Sequence, residues 1–184
     1  MQFSLDRIDR WRYARVAAHC TGAVLDVGCG RQILRTCFAP DTRYVGVDLE
    51  EPGALRASAL ALPLIPLSFD TVVLCEVLEH LEAPGTALRE AAAISRKRIV
   101  ITVPNDHSLV RLARLALGRD IEIDPEHVAT LNPVNIRLIL GRVGFEVIQQ
   151  YAFPLRVQLL PALKCRSRFG YWHFVVAQRQ EMRP

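Results

Sequence analysis

Val24-Leu25-Asp26-Val27-Gly28-Cys29-Gly30 is the stretch on which the reading of this chain turns. Residues 23–27 are apolar except for Asp26, and Gly22 and Gly28 close the run at its two ends. A short apolar run bounded by glycines is the pattern of a strand buried on both faces of a parallel sheet. The glycines that follow permit positive φ and let the backbone approach a ligand closely. Outward from this run the pattern repeats. Tyr44–Asp48 is a second strand ending on a carboxylate, residues 70–75 form a third, and residues 98–103 form another stopped by Pro104.

Helical segments separate these strands. Residues 4–20 carry Leu5, Ile8, Trp11, Tyr13, Val16 and Ala17 among arginines, which suits an amphipathic helix. Residues 84–95 are alanine-rich, with Pro84 suited to the first turn, and residues 108–117 form a helix closed by Gly118. Asn132 and Pro133 read as an N-cap followed by proline at the first helical position, opening a helix to Arg142 that Gly144 ends. Strands at 145–151 and 171–178 complete the chain. Alternating strands and helices predict one three-layer α/β domain over residues 1–184, with a mainly parallel sheet.

Composition narrows the function classes. The chain has 184 residues, 51% of them hydrophobic, and a formal net charge of +4. No apolar run approaches the roughly 20 residues a membrane helix needs, and residues 1–7 lack the apolar segment of a secretory signal. Together these predict a cytoplasmic protein. The five cysteines, Cys20, Cys29, Cys37, Cys75 and Cys165, include no C-x-x-C pair and read as reduced thiols. No histidine or cysteine spacing suggests a metal site. Lys97 and Lys164 are the only lysines, and the arginine-heavy balance is weak support for a nucleic-acid partner.

In such a sheet, ligands bind beyond the carboxyl ends of the strands. The informative residues fall there: Gly28-Cys29-Gly30 after one strand, and Asp48, placed to accept hydrogen bonds from a ribose diol, after the next. A dinucleotide site would require G-x-G-x-x-G, and the third position here is Ile33. Asp26 would also repel a pyrophosphate, whereas it would attract the ammonium of a methionine moiety.

At this point the chain resembles a known family. Residues 24–30 resemble the first motif of class I S-adenosylmethionine (SAM)-dependent methyltransferases. Residues 69–81, Phe-Asp-Thr-Val-Val-Leu-Cys-Glu-Val-Leu-Glu-His-Leu, are similar to the fourth-strand motif of that family, and Ala61-Leu62-Pro63 to the segment before it. Ile101-Thr102-Val103-Pro104-Asn105 resembles the end of the fifth strand, and Val143-Gly144-Phe145-Glu146-Val147 the stretch before the sixth. The resemblance spans residues 12–152 and implies a Rossmann-like sandwich with an antiparallel last strand. It also implies SAM as cofactor and S-adenosylhomocysteine (SAH) as product.

Carried over by position, the resemblance places Asp26, Gly28, Cys29 and Gly30 around the methionine part of SAM. Asp48 falls at the ribose, Leu49 at the adenine, Ser58 and Ala59 near the adenine amine, and Cys75 and Glu76 beneath the sulfonium. Gln32 stands where the family usually has a further glycine, positioned to crowd the turn or to donate to the methionine carboxylate. Ser58 stands where it often has an acid. Residues 50–57 are too short for the usual helix, so that side of the sheet should be thinly covered.

Methyl transfer from a sulfonium needs alignment and exclusion of water more than a metal, and an oxygen nucleophile benefits from a general base. His107, just past the fifth-strand end, is the first candidate base and His127 the second; a polar loop histidine is the plainer reading of each. Glu79 and His80 read as shaping the turn into the next helix.

Residues 108–119 and 158–169 set leucines beside arginines and fall where acceptors bind, suiting an amphiphilic or anionic acceptor or peripheral membrane contact. Ordinary packing on the sheet with solvated arginines is the plainer reading. The N-terminal helix, carrying Arg12, Tyr13 and Arg15, is placed to act as a lid. The basic triplet Arg96-Lys97-Arg98, at the entry to a strand and on the face away from the cofactor, reads as a solvated helix end, so a small molecule, lipid-linked or glycosylated, is favoured over nucleic acid. The expected activity is methyl transfer to an oxygen or nitrogen of that acceptor. The rival is a catalytically impaired methyltransferase-like binding or scaffold domain.

Overall fold

The computed structural model describes residues 7–121, 124–155 and 165–181. The apolar runs form the strands β1 (Val24–Val27), β2 (Tyr44–Asp48), β4 (Phe69–Cys75), β5 (Ser95–Pro104), β6 (Phe145–Phe153) and β7 (Trp172–Arg179), with a two-residue β3 (Leu55–Arg56). They make one sheet in the order β3-β2-β1-β4-β5-β7-β6. Pairings from β3 through β5 are parallel, and β7 runs antiparallel to both β5 and β6. The last strand is the antiparallel one, as the resemblance implies.

Alternation along β1 sorts the layers. Leu25 and Val27 face the larger core with Val72, Leu74, Ile99 and Ile101, against α2 (Pro84–Ile94) and α4 (Pro133–Arg142). Val24 points the other way with Val73, Val100 and Phe174, beneath Val16 of α1 (Arg7–Ala17) and Leu34. Every residue of β1 is buried, because both faces are covered. Asn132 caps α4 by accepting from the amides of Val134 and Asn135, as its position before Pro133 predicts. At the far end of the sheet Arg179 donates to the carbonyls of Ala92 (2.5 Å) and Ser95 (2.6 Å), closing the last turn of α2 onto β7.

Some expectations change in detail. Ile33–Cys37, after the glycine turn, forms a short, tight helical turn for which the sequence pattern carries no expectation. No helix intervenes between β2 and β3, so that side is thin, as residues 50–57 predict. The Arg96-Lys97-Arg98 triplet is not a helix end. The helix stops at Ile94 and the triplet lies in β5, where Lys97 pairs with Asp70 (3.0 Å) and Arg98 donates to the His19 carbonyl (3.2 Å). Among the described residues no helix is long and apolar enough to cross a membrane.

Candidate active site

The carboxyl ends of β1, β2, β4 and β5 lie along one edge of the sheet, joined there by Trp172 at the start of β7. The turn after β1 is built by two glycines with positive φ, 67° at Gly28 and 44° at Gly30. A side chain at position 28 would put its Cβ 2.4 Å from Val77, whereas the space above Gly30 is open to 4 Å. That open face is a cradle a ligand can enter. The Gly30 amide donates to Asp48 (2.9 Å), whose carboxylate also accepts from Glu50 (3.0 Å) and Glu51 (3.3 Å). Burial alone would raise the Asp48 carboxyl, but the surrounding amides outweigh it and hold the group below its ordinary range, hence ionised.

Asp26 lies beneath the turn, 3% exposed, and accepts from the Tyr44 hydroxyl at 2.5 Å. Burial pushes its carboxyl up to about 7; the Tyr44 hydrogen bond opposes this and Asp48 adds to it. Across β4, Glu76 sits in the left-handed region at φ 53°. Its carboxylate is 3.4 Å from the guanidinium of Arg12, which also pairs with Asp9 and lies 4.6 Å over the Trp172 ring. Burial raises the Glu76 carboxyl, with Arg12 opposing. The α1 helix thus reaches over the site through one buried cation. Arg12 stands out in the sequence only as a lid residue; its pairing with Glu76 exists only once the chain is folded.

Beyond β4 the turn at Leu78–His80 meets the segment before α4. The amides of Val128 and Ala129 donate to the Glu79 carbonyl, at 2.9 and 3.0 Å, and the rings of His80 and His127 lie 4.7 Å apart. His127 is 3.8 Å from Asp124 and lines a cleft of about 210 Å³ with Asp106, Ala129 and Thr130. Burial, then Glu76, pushes the Glu79 carboxyl up to about 8. A larger depression of about 560 Å³, among Glu146, Ile148 and Gln178, lies at the opposite edge of the sheet and touches none of these groups.

A methyltransferase-domain family model matches residues 20–150. The chain belongs to the class I SAM-dependent methyltransferases. Over 149 residues it is 31% identical to a probable S-adenosylmethionine-dependent methyltransferase of Mycolicibacterium smegmatis, a match covering 73% of this chain and 56% of that protein. The chain therefore spans little more than half the length of that curated relative. Among solved structures, it is similar to a SAM-dependent methyltransferase of Archaeoglobus fulgidus, with a TM-score of 0.71 at 20% identity over 94% of this chain and 93% of the other. It is likewise similar to the magnesium protoporphyrin IX methyltransferase of Synechocystis, solved with bound SAH, with a TM-score of 0.66 at 16% identity over 98% and 90%. These two likenesses concern the fold.

Within this methyltransferase domain the predicted residues do not all present their side chains. Gly28, Gly30 and Asp48 converge at the turn, and Leu49 is 57% exposed beside them. Cys29 is turned down: a Cβ on Gly46 would lie 2.6 Å from its sulfur, so only its backbone faces the cradle. Its thiol is raised to about 12 by burial, then by Asp26 and Asp48. Burial likewise raises the Cys75 thiol far above its usual value. The Ser58 hydroxyl accepts from the Leu60 amide (3.1 Å) and serves a local turn, and Ala59 is buried beside it. Gln32 takes the left-handed conformation a glycine would (φ 53°), with its side chain laid against Gly46 of β2 and toward Gly53.

His107 is exposed on the loop after β5, its amide held by Asn105 (3.0 Å); Asn105, fully buried, also donates to the carbonyls of Arg168 and Gly170. The two candidate histidines thus occupy different surroundings, and only His127 lines the cleft. In α3 (Leu109–Ala116) apolar and basic residues fall on different sides of the helix. Arg111 is not a solvated arginine: it is 3% exposed and pairs with Asp106 at 2.6 Å, while Leu115 and Leu117 are exposed. Of the second acceptor segment, residues 158–164 lie outside the described residues.

Proposed function

We propose that this chain binds SAM at the carboxyl edge of the sheet and transfers its methyl group to an oxygen or nitrogen of a small-molecule acceptor. Bound there, SAM supplies a sulfonium-activated methyl group that leaves a neutral thioether behind. The residues fit that occupant. The open backbone over Gly30 takes the methionine part, Asp26 attracts its ammonium, and Arg12 beside Glu76 offers a cation to its carboxylate. Asp48, held ionised, accepts from the ribose hydroxyls, and Leu49, Ser58 and Ala59 border the adenine. Cys75 and Glu76 close the floor. An acceptor in the cleft beside Asp106 and Thr130 has His127 as the nearer candidate base and His107 as the outer one.

The observation that carries this reading is the Gly30 amide fixed on Asp48 with open space above it. The scaffold reading drew on Gln32, Ser58 and the missing helix. On the first of these, the Gln32 side chain lies against Gly46 of β2 and leaves the space over Gly30 open, which supports the catalytic reading. Calorimetry with SAM and SAH is the test. Both bind the wild type, and Asp48→Ala weakens each at least tenfold, about 1.4 kcal/mol. No binding of either ligand, or no effect of the substitution, sinks the proposal.

A further inference from the structure

We propose that Glu79, His80 and His127 form a binding site for one divalent first-row transition-metal cation, opening onto the cleft beside Asp106 and Thr130. Each residue offers one donor atom, and the three donors lie within 4.8 Å of one another. A cation bound at about 2.1 Å holds its donors roughly 3 to 3.5 Å apart, so the set has to draw together by at most about 1.8 Å to bond one ion.

The decisive observation is Glu79. Its side chain is 2% exposed, and both carboxylate oxygens are buried with no hydrogen-bond partner. A buried carboxylate is retained at little cost only when paired, hydrogen-bonded or bound to metal. The two guanidiniums whose charge reaches it are engaged elsewhere, Arg12 with Glu76 and Asp9 and Arg111 with Asp106.

The surroundings are built as metal sites are. His80 Nδ1 lies 3.3 Å from the Glu126 carbonyl; donating there, it leaves Nε2 to coordinate, the usual way a backbone carbonyl orients a ligating imidazole. Asp124 stands 3.8 Å from His127 Nε2. The two amide bonds from Val128 and Ala129 to the Glu79 carbonyl clamp the loop bearing His127 against the turn bearing the other two ligands. One carboxylate and two imidazoles suit Mn²⁺, Fe²⁺ or Zn²⁺ better than Mg²⁺ or Ca²⁺, which favour all-oxygen shells. Three protein donors leave further positions for water or an acceptor oxygen; with His127 coordinating, the cation and not that imidazole would activate the acceptor, and only this last point rests on the methyl-transfer reading.

The test uses full-length protein stripped with a chelator. Mn²⁺ is titrated in and free Mn²⁺ followed by electron paramagnetic resonance, with Zn²⁺ calorimetry in parallel. One equivalent binds to the wild type, and Glu79→Gln and His80→Ala each weaken it at least tenfold. SAH calorimetry and circular dichroism on the same variants establish that they are folded. The proposal is overturned if the wild type takes up no stoichiometric Mn²⁺ or Zn²⁺, or if both folded variants bind as the wild type does. Mn²⁺ bound with SAH excluded would remove the methyl-transfer reading and leave the cation site standing.

Discussion

Asp26 concentrates the tension in this molecule at the scale of one residue. A carboxylate lies 3% exposed beneath a ligand turn, accepting a hydrogen bond from the Tyr44 hydroxyl. Its pKa, ordinarily 3.8, rises to about 7 in the fold. The folded state therefore binds the proton more tightly than the unfolded chain. Its contribution is fully present below pH 3.8 and is lost as pH rises through about 7. Asp26→Asn keeps an acceptor for Tyr44 and removes the ionisation. Thermal unfolding between pH 5 and pH 8 should show the variant gaining on the wild type as pH rises, and a pH-independent difference would refute the assignment. Gln32 illustrates another limit. The sequence shows a missing glycine, but whether the amide blocks the methionine end depended on which neighbour it packs against, and that neighbour is Gly46 on another strand.

At the scale of elements, α1 matters more than its amphipathic pattern suggests. It covers the thinner core through Val16 and also delivers Arg12, 8% exposed, to Glu76 and the face of Trp172. Removing one partner of a buried ion pair leaves the other charge uncompensated. Arg12→Ala should thus cost about 3 kcal/mol in urea unfolding. The double variant Arg12→Met with Glu76→Gln should recover most of that loss, since neither group is then charged. If the single change costs no more than a surface substitution, α1 is not anchored through this pair. The helical turn Ile33–Cys37 and the two-residue β3 carry no apolar period that marks them in the sequence, and only the folded chain defines them.

For the whole molecule, ligand binding should register as stability. If the cradle holds SAH and the unfolded chain does not, SAH at about a hundred times its dissociation constant adds roughly 2.7 kcal/mol. For a chain of this size that is a rise in Tm of roughly 5–10 °C, absent in Asp48→Ala. A scan in which SAH leaves the wild-type Tm unmoved would count against the site. The sequence by itself determined the layers, the parallel core and the glycine turn with its carboxylates. Burial on both faces, the period of two along a strand and the positive φ of Gly28 are demands that local residues must meet, so they leave local marks. It did not determine which side chains turn toward the ligand. Cys29 and Ser58 occupy positions that the family resemblance points to and spend their side chains elsewhere, on Gly46 and on the Leu60 amide. Nor did it bring Arg12 to Glu76, or His127 to Glu79 and His80. Those groups are remote along the chain and meet only because α1 and the loop before α4 both close on the carboxyl edge of the sheet, a proximity that no periodicity or spacing encodes.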